Sequence, residues 1–408
     1  MRILLKNTSN LGDVEITDGI ITSIGEDRNE CEEEIDCTDQ IIWPGLIDSH
    51  VHFRTPGQEY KEDWITGSEA ALAGGITSVV DMPNNLEPIL KNSQLDEKRE
   101  IIDKQTKIEF KLALGVTDDS MADFQQAEEN ADAIKLFMGA STGNMCVSKS
   151  VNLEKIFRNT TKPLMIHAED ESIIRKNEQS FKEEQEPEVH SAIRGREAAI
   201  VAVSQALSLA KEFNREIYLC HVSTKEEIEL VKEARAAGII VHVEVTPHHL
   251  FLNKNAYQEL GNYVKVNPPL RLEADNDALW DALKNGVISV VGSDHAPHTA
   301  EEKERNYWEA PAGIPGIELL FPLLLTAVNE GKISLNDVKR CCIENPAKIF
   351  GFNKKIEVGK SADIVVFDPV KEWVIKKHDL KTKCGWTPFE EYRMQGKVTF
   401  TYKHIKDN

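Results

Sequence analysis

Between Leu46 and Ser293 short apolar runs alternate with amphipathic stretches of helical length, and no other feature of the chain constrains its fold as much. The apolar runs predict eight strands, at residues 46–50, 78–81, 110–114, 133–137, 164–167, 217–221, 239–245 and 288–293. Helical periodicity fills the intervals, as at 64–73, 95–104, 192–213 and 225–236. Helix stops such as Gly74-Gly75 and Gly238 fall where the next strand should begin. Strand-then-helix repetition predicts an α/β chain with a parallel sheet, and eight units predict a closed (β/α)8 barrel of TIM type. A doubly wound open sheet is the competing architecture, because periodicity alone does not choose between the two.

The two ends of the chain read differently. Short strands are predicted at 3–6, 13–17 and 20–25, the last two joined by the turn signal Asp18-Gly19. After helical patterns at 317–329 and 336–350, strand character returns at 362–367 and 397–402. Neither end holds a core of its own. The division expected is therefore a small β-sandwich domain built from residues 1–43 plus 355–408 around a barrel of 44–354.

Histidine placement points to chemistry. His50 and His52 close the first predicted strand in Asp48-Ser-His-Val-His, where residues i and i+2 share a face. His167 closes the fifth strand, His221 the sixth, and Asp294 follows the eighth. A lone histidine at a strand end is ordinarily a hydrogen-bonded rim residue, and an aspartate there is ordinarily a cap. Five such residues at the C-terminal ends of four strands share the one rim where barrels of this type carry active sites. Together they read as a metal site, with donors suited to Zn²⁺ and numerous enough for two ions. Lys135, flanked by Ile134 and Leu136 in the fourth strand, has two readings. A buried neutral lysine can take up CO₂ and bridge two cations as a carbamate; alternatively its stem packs while its ammonium snorkels out.

These motifs, from PGLIDSHVH to GKSADIVVFDP, resemble the amidohydrolase superfamily and, within it, the dihydroorotases, over essentially the whole chain. The resemblance implies that His50, His52 and Asp294 bind one zinc ion and His167 and His221 the other. It implies a carboxylated Lys135 as the bridge, since KLFMGASTGNM offers no aspartate in its place. The implied reaction is reversible cyclisation of N-carbamoyl-L-aspartate to L-dihydroorotate, a step of pyrimidine biosynthesis, by a hydroxide bridging the metals with Asp294 as general acid and base. It further implies that Arg54, Asn84 and His298 hold the substrate carboxylate, and that Asn267 and the 310–316 segment, through Ala312 and Gly313, contact the ring. Residues 141–145 would form a flap. Allantoinases and hydantoinases are the neighbouring alternatives: the former carry a neutral residue where Arg54 stands, the latter a different first-strand motif. A metal-free scaffold of the same fold would have lost ligands that this chain keeps.

The formal charge of −20 argues against a nucleic-acid partner, whose phosphates would be repelled at long range. It also makes an anionic substrate depend on a local cationic pocket, which the metals and Arg54 would provide. No apolar run is long enough to span a membrane, and MRILLKNTSN lacks the apolar stretch of a signal peptide. Seven scattered cysteines without a C-x-x-C pair read as reduced thiols, so a cytoplasmic location is expected. Related enzymes are often dimers, which implies a homodimer.

Overall fold

The computed structural model describes residues 1–25, 31–121, 124–141 and 145–405. Its centre is an eight-stranded sheet in plain chain order. The N-terminal region contributes β1 (Arg2–Thr8), β2 (Gly12–Thr17), β3 (Ile20–Gly25), β4 (Glu33–Asp36) and β5 (Ile41–Pro44). The barrel strands follow: β6 (Leu46–Val51), β7 (Ile76–Asp81), β8 (Glu109–Val116), β9 (Ala133–Phe137), β10 (Leu164–His167), β11 (Ile217–Leu219), β12 (Val241–Val245) and β13 (Val290–Val291). Every neighbouring pair among them is parallel.

Closure comes from a parallel bridge between Val51 and His295, where the His52 amide donates to the His295 carbonyl at 2.8 Å. An unreversed strand order with first and last strands joined is a barrel, which rules out the open sheet. Strands β6, β7, β9 and β10 are buried at every residue. That is why they read as continuous apolar runs rather than alternating ones: helices cover one face and barrel side chains fill the other.

The chain ends build two further sheets. One has the order β3-β2-β1-β4; the other joins β5 to β14 (Asp363–Val374) and β15 (Arg393–Lys403). Both contribute to one apolar cluster containing Ile3, Leu5, Val14, Ile16, Ile42, Ile364 and Val366. Asp18 and Gly19 have φ of 48° and 78°, the paired left-handed residues of a tight hairpin turn between β2 and β3. A side chain at Gly19 would also strike the His404 ring.

Three expected elements differ. The helix expected at 192–213 is two, His190–Ile193 and Arg196–Glu212, parted at Arg194-Gly195. The helix expected at 336–350 passes from Leu335–Lys339 through a π-helical turn, Arg340–Glu344, into Asn345–Phe350. Pro346 has no N–H for the ordinary ladder, so the spacing shifts just before it. Finally, β11 stops at Leu219, two residues short of His221, whose φ is 35°. Among the described residues no helix is long and apolar enough to cross a membrane.

Candidate metal centre and substrate cavity

One cavity at the C-terminal end of the barrel is lined by His50, His52, Lys135, His167, His221 and Asp294, and also by Arg54, Asn84, Asn267, Ala312 and Gly313. Eleven of the twelve residues singled out from the sequence thus meet in one place. His298 is the exception; it packs behind Arg54. Residues 142–144 of the expected flap lie outside the described residues, while Ser141 lines the cavity.

The donors converge as two groups. Asp294 Oδ1 lies 3.0 Å from His52 Nε2 and 3.4 Å from His50 Nε2, and these three residues can together hold a metal ion. His167 Nδ1 faces His221 Nε2 at 3.0 Å. Lys135, fully buried, sits between the groups, its Nζ 3.2 Å from His50 Nε2 and 3.1 Å from Cys220 Sγ.

Outer carboxylates fix the ring orientations. Glu244 Oε1 takes His50 Nδ1 at 2.8 Å and also accepts the His221 amide at 3.0 Å, while its Oε2 accepts the Tyr218 hydroxyl at 2.6 Å. Glu169 Oε2 lies 3.0 Å from His167 Nε2 and accepts from Arg194. Each carboxylate occupies one ring nitrogen and turns the other toward the cavity, as supporting partners of metal-bound histidines do. Neither glutamate was expected from the sequence. The available signal was a lone charged residue inside the apolar strand VHVEV.

Burial keeps most of these imidazoles neutral. Desolvation pushes His52 down to about 3, outweighing Asp294, and holds His167 and His221 below the usual histidine range. His50 differs: burial and the Lys135 charge oppose its protonation, yet Glu244, Asp294 and Cys220 raise it to about 10. Burial also opposes the charge on Asp294, but His50, His52 and His221 hold its carboxyl well below the usual range. Buried His52 Nδ1 and His221 Nδ1 have no hydrogen-bond partner among the described residues. Three neutral rings, a fourth beside the carboxylates and an ionised Asp294 are a donor set suited to a transition metal, so the residues present fit the metal that the sequence implies.

The substrate side is built from backbone as much as from side chains. Arg54 is 2% exposed, has φ 60°, and gives its Nε–H to the Pro297 carbonyl at 3.1 Å. Burial lowers its pKa to about 10, which leaves it charged at neutral pH. Among the described residues no carboxylate forms an ion pair with it. The Asp81 carboxylate accepts the neighbouring Phe53 amide at 2.9 Å and pairs with buried Lys98 at 2.5 Å. Lys98 in turn donates to Asn85 at 2.9 Å, bracing the turn that carries Asn84.

Opposite stands the Ala312-Gly313 wall, whose carbonyls are taken by basic side chains. Ala310 O accepts from Lys265 at 2.7 Å, and Pro311 O and Gly313 O accept from Lys303 at 2.9 and 3.0 Å. Ala312 O lies 3.1 Å from His298 Nε2. Gly313 has φ 147°, and a Cβ there would lie 2.4 Å from the Ala296 carbonyl, so this wall tolerates only glycine at that position.

The amidohydrolase family pattern matches residues 41–401. A dihydroorotase of Pyrococcus horikoshii is 39% identical over 89% of this chain and 79% of its own length. One from Pyrococcus furiosus is 38% identical over 98% and 89%, and one from Methanothermobacter thermautotrophicus 33% over 97% and 89%. Among solved structures, the L-hydantoinase (dihydropyrimidinase) of Arthrobacter aurescens superposes with a TM-score of 0.91 at 28% identity, covering 98% of this chain and 94% of that one. The dihydropyrimidinase of Brevibacillus agri gives 0.88 at 29%, covering 98% and 93%.

Proposed function

This chain belongs to the amidohydrolase family, and from that membership we propose that it acts as a dihydroorotase, interconverting N-carbamoyl-L-aspartate and L-dihydroorotate. The observation that carries the substrate is Arg54. A buried guanidinium without a carboxylate partner is costly unless something anionic completes it. It lines the cavity that holds the metal donors, with Asn84 beside it. A carboxylate-bearing ring satisfies that charge, and an uncharged hydantoin does not. The structural likeness to hydantoinases favours a second reading, a cyclic amidase of that type, which shares the metal donors but leaves Arg54 without a purpose.

His50, His52 and Asp294 would hold one zinc ion and His167 and His221 a second, with Lys135 as a carbamate between them. When bound, such ions lower the pKa of water and polarise an amide carbonyl. The chain's own part is proton transfer and placement. Asp294, ionised at neutral pH, accepts a proton from the attacking water and passes it to the departing ring nitrogen. In ring closure it takes the amide proton instead. Arg54 and Asn84 fix the carboxylate, and Asn267 and the Ala312-Gly313 wall fix the ring plane. His190, whose Nε2 lies 2.9 Å from Asn267 Oδ1, orients that amide. The free cysteines fit a reducing, cytoplasmic setting, and we take the working form to be a homodimer.

The test is hydrolysis of L-dihydroorotate by zinc-loaded protein, with allantoin and hydantoin in parallel. Preferential turnover of dihydroorotate is the expected result. Preferential turnover of either other ring would replace the substrate and keep the metal site.

A further inference from the structure

His298 touches Arg54 on one side and a second cation, Lys61, on the other. Lys61 is 4% exposed; its Nζ lies 3.0 Å from His298 Nδ1 and 3.0 Å from Glu302 Oε1. Glu302 Oε2 is 3.7 Å from the same Nδ1, too far for a hydrogen bond, and instead accepts the Thr299 amide at 3.1 Å. On the far side of the ring, Nε2 sits 3.1 Å from the Ala312 carbonyl and 3.1 Å from Arg54 NH2.

These contacts restrict where the ring hydrogen can be. A lysine ammonium has three donors and no lone pair, so a nitrogen facing it at hydrogen-bond distance must accept. The hydrogen then belongs on Nε2, where the Ala312 carbonyl is ready to receive it. The opposite tautomer would set an N–H against the ammonium and leave that carbonyl without its partner.

We infer that Lys61 is a positioning residue: it fixes His298 as the Nε2–H tautomer, whose hydrogen goes to the Ala312 carbonyl, and so keeps the neighbouring Arg54 NH2 donor free for a carboxylate. This deepens the proposed function and rests on it for the identity of the anion. With its hydrogen on Nε2 the ring offers Arg54 no lone pair; the opposite tautomer would accept from Arg54 NH2 and take that donor away from a carboxylate. Burial and the Arg54 and Lys61 charges keep the ring neutral, so the choice of tautomer matters.

The test uses zinc-loaded protein carrying ¹⁵N-labelled histidine, with the His298 signals identified by their loss in His298→Asn. In the parent protein His298 should show a pyrrole-type Nε2 and a pyridine-type Nδ1. Lys61→Met should move the ring toward the Nδ1–H form and raise KM for L-dihydroorotate about tenfold, the effect of losing one hydrogen bond to a charged group, with kcat little changed. Lys61→Arg, which also only donates, should keep the parent tautomer and most of the affinity. An unchanged tautomer in Lys61→Met, or a parent ring protonated on Nδ1, overturns the inference. If Lys61→Met does not fold, loss of the parent tautomer in folded Lys61→Arg overturns it instead. The spectrum needs no substrate. A parent protein that shows the expected tautomer but ignores dihydroorotate would defeat the proposed function and leave the role of Lys61 standing.

Discussion

At the N-terminal end of the barrel, Asp363 meets Lys354 at 2.7 Å and Lys403 at 2.8 Å, and its other oxygen accepts the Thr77 hydroxyl. Lys403 also reaches Glu109 at 2.8 Å. At the opposite end Arg54 is equally buried but, among the described residues, pairs with no carboxylate, and His52 Nδ1 and His221 Nδ1 are among the buried atoms without a hydrogen-bond partner there. There, Arg54, His221 and Asp294 hold φ of 60°, 35° and 46°, in the left-handed region that side chains other than glycine usually avoid. Both ends bury charge. One completes it within the chain; the other leaves it open, on a strained backbone, facing the cavity.

That contrast predicts which changes harm activity and which harm stability. Asp294→Asn should lower kcat about a thousandfold, as expected for loss of a positioned general base, with thermal unfolding little altered. Steady-state turnover of dihydroorotate and a melting curve decide it; near-normal turnover removes Asp294 from the chemistry. Asp363→Ala should do the reverse. It strands the buried Lys354 and should cost about 3–5 kcal/mol in a denaturant titration, with kcat/KM unchanged in whatever protein stays folded. A kinetic defect there would mean that the two ends are coupled and the contrast is wrong.

Arg54→Met comes next in size and has a sign of its own. KM should rise about a hundredfold, the usual order for losing a buried charge pair with a ligand. Bound zinc, measured by elemental analysis, should not fall. Because the change also removes an uncompensated buried cation, the melting temperature should hold or rise, as where a site trades stability for function. A destabilised variant would mean that Arg54 is satisfied within the chain.

The parts of this design visible in the sequence are those written as local patterns. His50 and His52, two apart in a strand, must share a face, and β9 and β10 begin and end where their apolar runs do. Lys135 declared itself as a cation inside such a run. Contacts between distant segments were not visible. Glu244 reads as an ordinary strand charge until the fold brings it 2.8 Å from His50. Lys265 and Lys303 look like solvated surface lysines, yet both end on carbonyls of the cavity wall. The break at Arg194-Gly195 was hidden because residues on both sides keep helical periodicity, while the partner of Arg194 there, Glu169, is distant in sequence.

Acid titration separates the two ends by the pH at which each begins to lose stability. At the cavity end, burial, with Lys265 and Arg194 nearby, pushes His190 from 6.5 down to about 3. It stays neutral in the folded protein while the unfolded chain takes up a proton near 6.5, so stability falls as pH drops from that value toward 3. At the other end burial opposes ionisation of Asp363, but Lys354 and Lys403 outweigh it and hold the group below its ordinary 3.8. Its contribution is complete above that value and is lost only as pH falls through the lower folded one. Between pH 7 and 5, therefore, the cavity end should respond and the Asp363 cluster should not. Replacing His190 with Gln should flatten the fall in unfolding free energy across this window by up to about 1.4 kcal/mol per pH unit. Asp363→Asn should lower the whole curve without changing its slope there. If the slopes respond the other way round, the open charge lies at the sheet junction rather than around the cavity, and the contrast fails.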